Sequence, residues 1–407
     1  MFRRKPTILF LLPVAFVQKP DEPGFQVQTR NFRTALGFLT PELDERGLQV
    51  ALVSFNNTRK QVRYGRDHLL DSGLQNKVRA FLFHRKMRRG HWFPQSVQFL
   101  MNLACLVYVL LKVRPGLVYG HNDVGTLLGG LLKPFFKYRL VYDMRGDRVN
   151  EMEVQQAAKW RIAFYSRIQK FCKNSCDLVF TVSGQIDKLP SGKQHVTKFN
   201  FFDARVFDYH ADEAEQTRRD LGLQNRFVLV YSGTDKYYQM VPGMVAFFVR
   251  FLAFCPDAFL MINTPLPSSV FAEELRRQQV PESSYGMFQP GQENLNRYQM
   301  AADMALLLRD DLPLNHRAFP TKFSEYLGSG LPVLVTPYVP AIAEMVTEHH
   351  LGAVWDLHEP MEAIFPQILA YRNNRSARLR CASFAREHLS WQANASRVAG
   401  ILKSMCP

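Results

Sequence analysis

The sequence is poor in cysteine and carries no metal-binding pattern. Six cysteines are scattered over 407 residues, and only Cys172 and Cys176 lie close together. No second cysteine pair or histidine pair completes a zinc-binding pattern with them. We expect buried free thiols in a reducing compartment, and no bound metal.

Long apolar runs are also lacking. The N-terminus, MFRRKPTILFLLPVAFV, is similar to a signal peptide, but Gln18-Lys19-Pro20 follow it instead of a small-residue cleavage site. We expect a first strand over Thr7–Val17. The run Val97–Leu111 is interrupted by Gln98 and Asn102 and is shorter than the roughly 18 residues of a membrane span. We therefore expect no transmembrane helix, and a protein that is cytoplasmic or peripheral on the inner face of the membrane.

Acidic residues are outnumbered. The chain has 36 Asp and Glu against 51 Lys and Arg, which gives a net charge of +15 and a pI near 9.6. This balance indicates an anionic partner, which is a membrane surface, a nucleic acid or a phosphate-bearing substrate. The length favours two domains, and 47% hydrophobic with 21% charged residues is typical of a globular protein.

One stretch concentrates this charge. Lys77–Phe93 interleaves Lys and Arg with Phe81, Phe83 and Trp92. Such a mixture suits an anionic membrane surface, since cations meet lipid phosphates while aromatic rings sit among the headgroups. A nucleic-acid site and a solvated helix face are the alternatives. Nucleic acid is disfavoured because no zinc, helix-turn-helix or RNA-binding motif accompanies the charge.

Strands and helices alternate along the chain. A strand at Thr7–Val17, a loop containing Gly24, a helix over Val27–Arg46 and a strand at Leu48–Phe55 form a βαβ opening. The alternation continues to the C-terminal region. It predicts an α/β protein with two doubly wound, Rossmann-like domains.

Polar residues follow two strands of the first half. Leu117–Gly120 ends at His121, with Asn122 opening a helix, and the strand around Tyr142 runs into Asp143 and Arg145. Ligands of open parallel sheets bind at the carboxyl ends of strands. The alternatives are a structural histidine and an Asp–Arg pair that braces the turn.

The central stretch of the second half is HRAFPTKFSEYLGSGLPVLVT, from His316 to Thr336. Thr321 is placed to cap a helix whose apolar face holds Phe323, Tyr326 and Leu327. Gly328 and Gly330 are expected to end that helix, and Leu331–Thr336 reads as a strand buried on both faces.

The other side of this helix carries Lys322 and Glu325, and Arg317 precedes it. Helix N-termini bind phosphate, so Thr321 and Lys322 are candidate phosphate ligands. One turn later, Glu325 is placed to accept hydrogen bonds from a ribose diol. The alternative is a plain βα unit with solvated charges.

This stretch resembles the nucleotide-sugar signature of the family 4 retaining glycosyltransferases, which have the GT-B fold. Glu325 matches the second Glu of the family motif, and Gly330–Val333 matches the start of its strand. Arg317 stands where the first Glu is expected, as in capsule and lipopolysaccharide glycosyltransferases. The resemblance implies two Rossmann-like domains that face each other across a cleft. These are an acceptor-side domain over 1–205, a nucleotide-sugar domain over 206–385, and a C-terminal helix over 386–407 that crosses back.

The resemblance also implies roles for particular residues. In the family, the turn after the first strand of the second domain reaches the donor diphosphate; here it is Ser232-Gly233-Thr234, with Lys236 as the nearest cation. The implied donor-binding residues are Gly233, Thr234, Lys236, Arg317, Thr321, Lys322 and Glu325. The implied catalytic residues are His121, Asp143, Arg145, Arg317 and Lys322, and those on the acceptor side are Gly24, His121 and Asn122.

The expected activity is sugar transfer from a nucleotide-sugar donor to a glycan or lipid-linked acceptor, with retention of configuration. The setting implied by the resemblance is synthesis of cell-surface polysaccharide, either capsule or lipopolysaccharide, and neither a metal nor another cofactor is expected. Two alternatives are another GT-B enzyme, such as a nucleotide-sugar epimerase, and a basic nucleic-acid-binding protein.

Overall fold

A computed structural model describes residues 5–13, 27–56, 59–84, 92–184, 193–265, 267–291 and 293–406. Within these ranges, side chains are described from residue 30 onward in the first helix and from residue 97 onward in the third. The chain divides into two compact units, which we call the first unit (Met1–Phe199 with Asn394–Pro407) and the second unit (Asn200–Ala393). The sequence placed these divisions at 205 and 385. The backbone of Phe202 bonds to those of Leu389 and Trp391, at 3.0 and 2.9 Å, which ties both flanking segments to the second unit.

The first unit is built on a seven-stranded sheet in which every pairing is parallel. Its strands are β1 (Thr7–Leu12), β2 (Gln49–Asn56), β3 (Val78–His84), β4 (Leu117–His121), β5 (Arg139–Met144), β6 (Leu178–Thr181) and β7 (Gln194–Thr197). Their order across the sheet is β3-β2-β1-β4-β5-β6-β7. All six residues of β1 are buried, as expected for a central strand with helices on both faces.

Helices connect these strands. They are α1 (Val27–Glu45), α2 (Arg59–Asp71), α3 (Trp92–Val113), α4 (Asn122–Leu132), α5 (Arg148–Val154) and α6 (Lys159–Ser175). Helix α4 packs very close to the sheet. A Cβ atom at Gly125 would lie 2.8 Å from the carbonyl oxygen of Leu11, and one at Gly120 would lie 2.6 Å from the Thr126 hydroxyl. This close approach fixes the end of β4, where His121 lies.

The second unit has a six-stranded parallel sheet in the order β10-β9-β8-β11-β12-β13. The strands are β8 (Phe227–Ser232), β9 (Ala258–Asn263), β10 (Tyr285–Phe288), β11 (Met304–Leu307), β12 (Val333–Val335) and β13 (Gly352–Val354). The expected strand Leu331–Thr336 is thus limited to its three central residues. Gly330 has a positive φ of 71°, so the chain is still turning when it reaches Pro332.

The helices of the second unit surround this sheet. They are α7 (Ala211–Asp220), α8 (Val241–Phe254), α9 (Ser269–Arg277), α10 (Leu295–Met300), α11 (Pro313–His316), α12 (Thr321–Gly328), α13 (Pro340–Glu348), α14 (Phe365–Leu369) and α15 (Arg375–Phe384). A final helix, α16 (Trp391–Ser404), begins in the second unit and ends in the first. In the first unit, Arg46 donates a hydrogen bond of 2.6 Å to the Ser396 hydroxyl.

One helical segment of the described chain, Tyr237–Phe254, is long and apolar enough to cross a membrane by length and composition alone. The packing gives it another role. Met244, Phe247, Phe248 and Phe251 are fully buried in the core of the second unit. The segment therefore serves as a core helix of the sheet.

Candidate functional site

The helix at the centre of the candidate donor site is α12. Phe323, Tyr326 and Leu327 are fully buried, which confirms the apolar face predicted from their spacing. The prediction that Thr321 caps the helix is wrong. Pro320 occupies the capping position and offers no side-chain acceptor, and Thr321 is the first helical residue. The first turn of α12 therefore has no side-chain cap.

The ammonium of Lys322 points toward the end of β8. It donates a hydrogen bond of 2.9 Å to Oε1 of Gln239 and lies 4.1 Å from the ring centre of Tyr231. Gly233 makes room for it, since a Cβ atom there would lie 2.8 Å from Nζ of Lys322. Gly233 also has a φ of 151°, which side chains rarely adopt. The structure thus brings Lys322 and Gly233 together, two residues that the sequence had assigned to the donor.

A second cation, Arg309, shares the same acceptor. Its guanidinium donates to Oε1 of Gln239 at 2.7 Å and to the carbonyl of Leu308 at 3.1 Å, and it lies 5.6 Å from the Tyr238 ring centre. The residue is 3% exposed. We call Arg309 and Lys322 the cation pair. Both donate to one neutral amide oxygen.

No carboxylate forms an ion pair with either member of the cation pair in the described part of the chain. Burial lowers the pKa of Lys322 well below its usual range, the charge of Arg309 lowers it further, and Glu325 opposes the shift. Burial likewise lowers the pKa of Arg309. Buried charges in proteins are normally matched by opposite charges, so this arrangement has the electrostatics of an anion site.

The sequence analysis missed Arg309 and Gln239. Arg309 follows the apolar strand β11, and this position at a strand's carboxyl end is the signal that could have identified it. Gln239 lies in a short 3-10 turn before α8. No nearby sequence pattern identifies Gln239, because its role depends on contact with residues 70 and 83 positions away.

The remaining predicted donor residues occupy different environments. Glu325 is buried, three residues after Lys322 on α12. Thr234 accepts a hydrogen bond from the Tyr231 hydroxyl through its carbonyl, at 2.5 Å. Lys236 is exposed, with its ammonium 5.9 Å from the Tyr238 ring centre. It is not among the charges that act on Lys322.

Arg317 was expected to join Lys322. It is half-buried at the residue after α11, and the charge that acts on Lys322 is that of Arg309 instead. The expected role of Arg317 in binding the diphosphate stays a prediction.

In the first unit, His121 and Asp143 end neighbouring strands in register, as their positions in the sequence predicted. Nδ1 of His121 lies 3.1 Å from Oδ2 of Asp143, and Arg145 approaches the same oxygen at 3.9 Å. Lys198, which the sequence analysis missed, lies 3.1 Å from Oδ1 of Asp143. We call these four residues the aspartate cluster; His121, Asp143 and Lys198 are at most 2% exposed.

The aspartate cluster has a defined charge state. Burial alone would raise the pKa of Asp143, but the charges of Lys198 and Arg145 outweigh it and hold that pKa well below its usual range. Burial lowers the pKa of His121, and it lowers that of Lys198 to about 8. Asp143 is therefore ionised and His121 is neutral at pH 7. A neutral His121 beside a carboxylate donates from Nδ1, which leaves Nε2 as an acceptor.

The other acceptor-side assignments are less informative. Asn122 is the first residue of α4 and accepts a hydrogen bond of 3.1 Å from the backbone of Val124. Gly24 lies outside the described residues, as does 85–91 within the basic stretch Lys77–Phe93.

All six cysteines are free. Among the residues with described placement, no group of three or more His, Cys, Asp or Glu could hold a metal ion.

Comparison with solved protein structures identifies the fold of the chain. No protein-family model and no curated protein sequence matches the chain. Among solved structures, the chain is similar to sucrose-phosphate synthase from Thermosynechococcus elongatus, with 14% identity, 99% coverage of both chains and a TM-score of 0.72. It is similar to Anabaena HepE in complex with UDP, with 15% identity, 98% coverage of this chain and 100% of that one, and a TM-score of 0.68.

A third match is a glycosyltransferase from Rickettsia africae, with 12% identity, 98% coverage of both chains and a TM-score of 0.66. At these identities the similarity concerns the fold. The two parallel α/β sheets and the match over nearly the whole chain confirm the fold class expected from the sequence. The chain has the GT-B fold of these glycosyltransferases.

Proposed function

We propose that the protein is a glycosyltransferase that moves a sugar from a nucleotide-sugar donor to a glycan or lipid-linked acceptor, with retention of configuration. The observation that carries the proposal is the cation pair. Arg309 and Lys322 are held around the neutral Gln239 beside Gly233. Among the described residues, neither forms an ion pair with a carboxylate; Asp310 and Glu325 act on them only at longer range. A diphosphate supplies the missing negative charge.

In this proposal the cation pair acts on the leaving group. The acceptor hydroxyl oxygen bonds to the anomeric carbon from the face that the leaving group departs from, which retains the configuration. The bond from that carbon to the diphosphate oxygen breaks, and the hydroxyl proton passes to the departing diphosphate. The departing diphosphate gains negative charge, and its stabilisation by fixed cations lowers the barrier. Helix α12 begins after Pro320, which makes no side-chain cap, and its N-terminus is proposed to face the diphosphate, while Glu325 is proposed to bind the ribose hydroxyls.

The first unit is proposed to hold the acceptor. Its candidate groups are His121, with Nε2 as a hydrogen-bond acceptor, and Asn122. Asp143, Arg145 and Lys198 are positioning residues in this scheme, since Asp143 fixes the His121 ring from the opposite nitrogen. No metal is required in the proposal, because cationic side chains carry the charge stabilisation.

We also propose a role in synthesis of cell-surface polysaccharide, at the cytoplasmic face of a membrane. The support is the net charge of +15 and the basic–aromatic stretch Lys77–Phe93, which suits anionic lipid. A lipid-linked acceptor would be presented at that surface.

The decisive experiment is a thermal-shift panel of UDP-, GDP-, CMP- and dTDP-sugars, followed by product analysis with the donor that stabilises. We expect one nucleotide class to raise the melting temperature of the wild type, and Arg309→Gln and Lys322→Gln to abolish that rise. Lys236→Gln is the matched control, since it removes an exposed cation near the same turn. Proton NMR of the product then reports the anomeric configuration.

Three results would contradict the proposal. If no nucleotide sugar in the panel stabilises the wild type, the proposed donor site is wrong. If the product has the inverted anomeric configuration, the proposed retaining mechanism is wrong. A sugar epimerised while still attached to its nucleotide would identify an epimerase instead.

A further inference from the structure

We propose that the outer surface formed by α3, α4 and α6 in the first unit is a docking face for an anionic phospholipid bilayer. The inference rests on the proposed peripheral attachment and deepens it, because it identifies residues outside Lys77–Phe93 that would enter the lipid. It is tested by a measurement that does not require catalysis.

The main element of this face is α3, which is apolar on its outer side as well as on the side that packs in the core. We define the α3 stripe as five residues that share one side of the helix: Val97, Leu100, Met101, Tyr108 and Leu111. Their spacing of 3, 1, 7 and 3 residues matches the helical period. Leu100, Met101 and Leu111 are 62%, 58% and 60% exposed, whereas the polar Asn102 is buried. An ordinary surface helix has the opposite arrangement.

Neighbouring elements extend the stripe. Leu106 of α3, Leu128 of α4 and Cys172 of α6 are buried in one core, so the three helices cover the same face of the sheet. Their outer sides expose further large apolar residues: Leu131 and Phe135 at the end of α4, and Trp160 and Phe164 on α6. Several large apolar side chains exposed on one layer of helices indicate an interaction site.

The sequence around α3 and α6 carries charge of one sign. No Asp or Glu occurs between Asp71 and Asp123, a region that contains α3. The same holds between Glu153 and Asp177, a region that contains α6. Lysines and arginines occur in both: Lys77, Arg79, Arg85, Lys86, Arg88, Arg89, Lys112 and Arg114 in the first, and Lys159, Arg161, Arg167, Lys170 and Lys173 in the second. Exposed apolar side chains on segments whose charged residues are all cations are complementary to acyl chains beneath anionic headgroups.

Other occupants fit less well. A second copy of this face would bring its own excess of cations against the first, which opposes association. Residues 85–91 directly precede α3 and read RKMRRGH, which is too polar to cover an apolar stripe. A nucleic acid would use the cations but leave the aliphatic side chains in water. A bilayer accommodates both features.

The test is sedimentation of the full-length protein with vesicles of phosphatidylcholine alone and of phosphatidylcholine mixed with phosphatidylglycerol. The variant Leu100→Gln/Leu111→Gln removes apolar contact without changing net charge. The matched control is Phe254→Gln/Leu379→Gln, since these second-unit residues are 48% and 52% exposed. We expect the wild type and the control to bind mixed vesicles, and the α3 variant to bind at least roughly tenfold more weakly, because each leucine loses its transfer into lipid.

The proposal is overturned if the wild type does not bind mixed vesicles, or if the α3 variant binds as the wild type does. It is also overturned if sedimentation velocity shows a dimer of the wild type that the α3 variant dissociates. A thermal shift with the donor panel, run on the same samples, separates this inference from the proposed activity. Vesicle binding that persists when no donor stabilises the protein supports the docking face and counts against the transferase only.

Discussion

Arg309 and Lys322 donate hydrogen bonds to the same atom, Oε1 of Gln239, at 2.7 and 2.9 Å. Two cations that converge on a neutral oxygen repel each other, and burial strengthens that repulsion. The arrangement becomes favourable when an anion binds between or beside them.

The first prediction concerns turnover. Arg309→Ala and Lys322→Ala should each lower kcat more than they raise KM, because the diphosphate gains charge in the transition state. Loss of a charged hydrogen bond costs about 1.5–3 kcal/mol, which corresponds to roughly 10- to 150-fold in rate. Steady-state kinetics with the donor found in the panel would measure this.

Lys236→Ala and Arg317→Ala are the controls for that experiment, and both should have smaller effects. If Arg309→Ala retains wild-type kinetics while Lys236→Ala abolishes turnover, the diphosphate is held by the turn after β8 and not by the cation pair.

The second prediction concerns the ribose. Glu325→Ala should weaken nucleotide binding by about 1.5–3 kcal/mol, since a charged hydrogen-bond acceptor is lost. Isothermal titration with the free nucleoside diphosphate measures this without any acceptor. Glu325→Gln keeps one amide oxygen as an acceptor and should lose less. Equal affinity of the wild type and Glu325→Ala would rule out the ribose contact.

The third prediction distinguishes the effect of backbone strain at a glycine from the effect of its close contact with Lys322. Gly233→Ala places a Cβ atom 2.8 Å from Nζ of Lys322, so it should displace the ammonium and abolish donor binding. Gly222→Ala is a matched control, because Gly222 has a φ of 67° and open space around it. Gly222→Ala should lose about 1–2 kcal/mol of stability because its φ is left-handed, and Gly233→Ala about 1–3 kcal/mol because a φ of 151° is sparsely populated by other residues. Only Gly233→Ala should lose the thermal shift with donor; a normal shift would contradict the role of this close contact.

The fourth prediction concerns acid stability. The pKa of Asp143 is depressed in the folded state by Lys198 and Arg145, against an ordinary value of 3.8. Its contribution to stability is therefore complete above about pH 4 and is lost as the pH falls further. Asp143→Asn should cost about 3–5 kcal/mol at pH 7, because it leaves buried cations unmatched, and should flatten the acid limb of stability. Urea unfolding between pH 3 and pH 7 measures both effects.

Asp257→Asn is the control for that series. Asp257 pairs with Arg372 at the surface, and the hydrogen bond from Arg372 lowers its pKa to about 2. An exposed pair contributes up to about 1 kcal/mol, so this variant should stay near the wild type at pH 7. Lys198→Met combined with Asp143→Asn should recover part of the loss. An Asp143→Asn protein as stable as the wild type would show that the cluster is not a charge-matched unit.

Much of the fold and part of the site follow from local sequence. The apolar face of α12 is set by Phe323, Tyr326 and Leu327, whose period is visible in eight residues. His121 and Asp143 could be placed at one sheet edge because carboxyl ends of parallel strands meet there. These inferences require only short-range patterns together with the rules of parallel sheets.

The missed features depend on long-range packing. Gln239 contacts Lys322 from 83 positions away, and Lys198 reaches Asp143 from 55 positions later. No local pattern encodes such a pairing. The outward apolar side of α3 was missed for a different reason. A helix that is apolar on all sides has little hydrophobic periodicity. The sequence therefore gives no sign that Asn102 is buried and Leu100 is exposed.

In the proposed donor site, the two cations share only the neutral amide oxygen of Gln239, so the stability of the protein, and with it the resistance to proteolysis, would depend on the concentration of the bound anion. A pair of cations that is matched only when an anion is bound makes the occupied fold more stable than the empty one, by an amount that grows with the logarithm of ligand concentration. A cell rich in the donor would thus preserve this chain, and a starved cell would expose it to proteases. The half-life of the purified protein under limited proteolysis should lengthen with added nucleoside diphosphate, and Lys322→Gln should remove that protection.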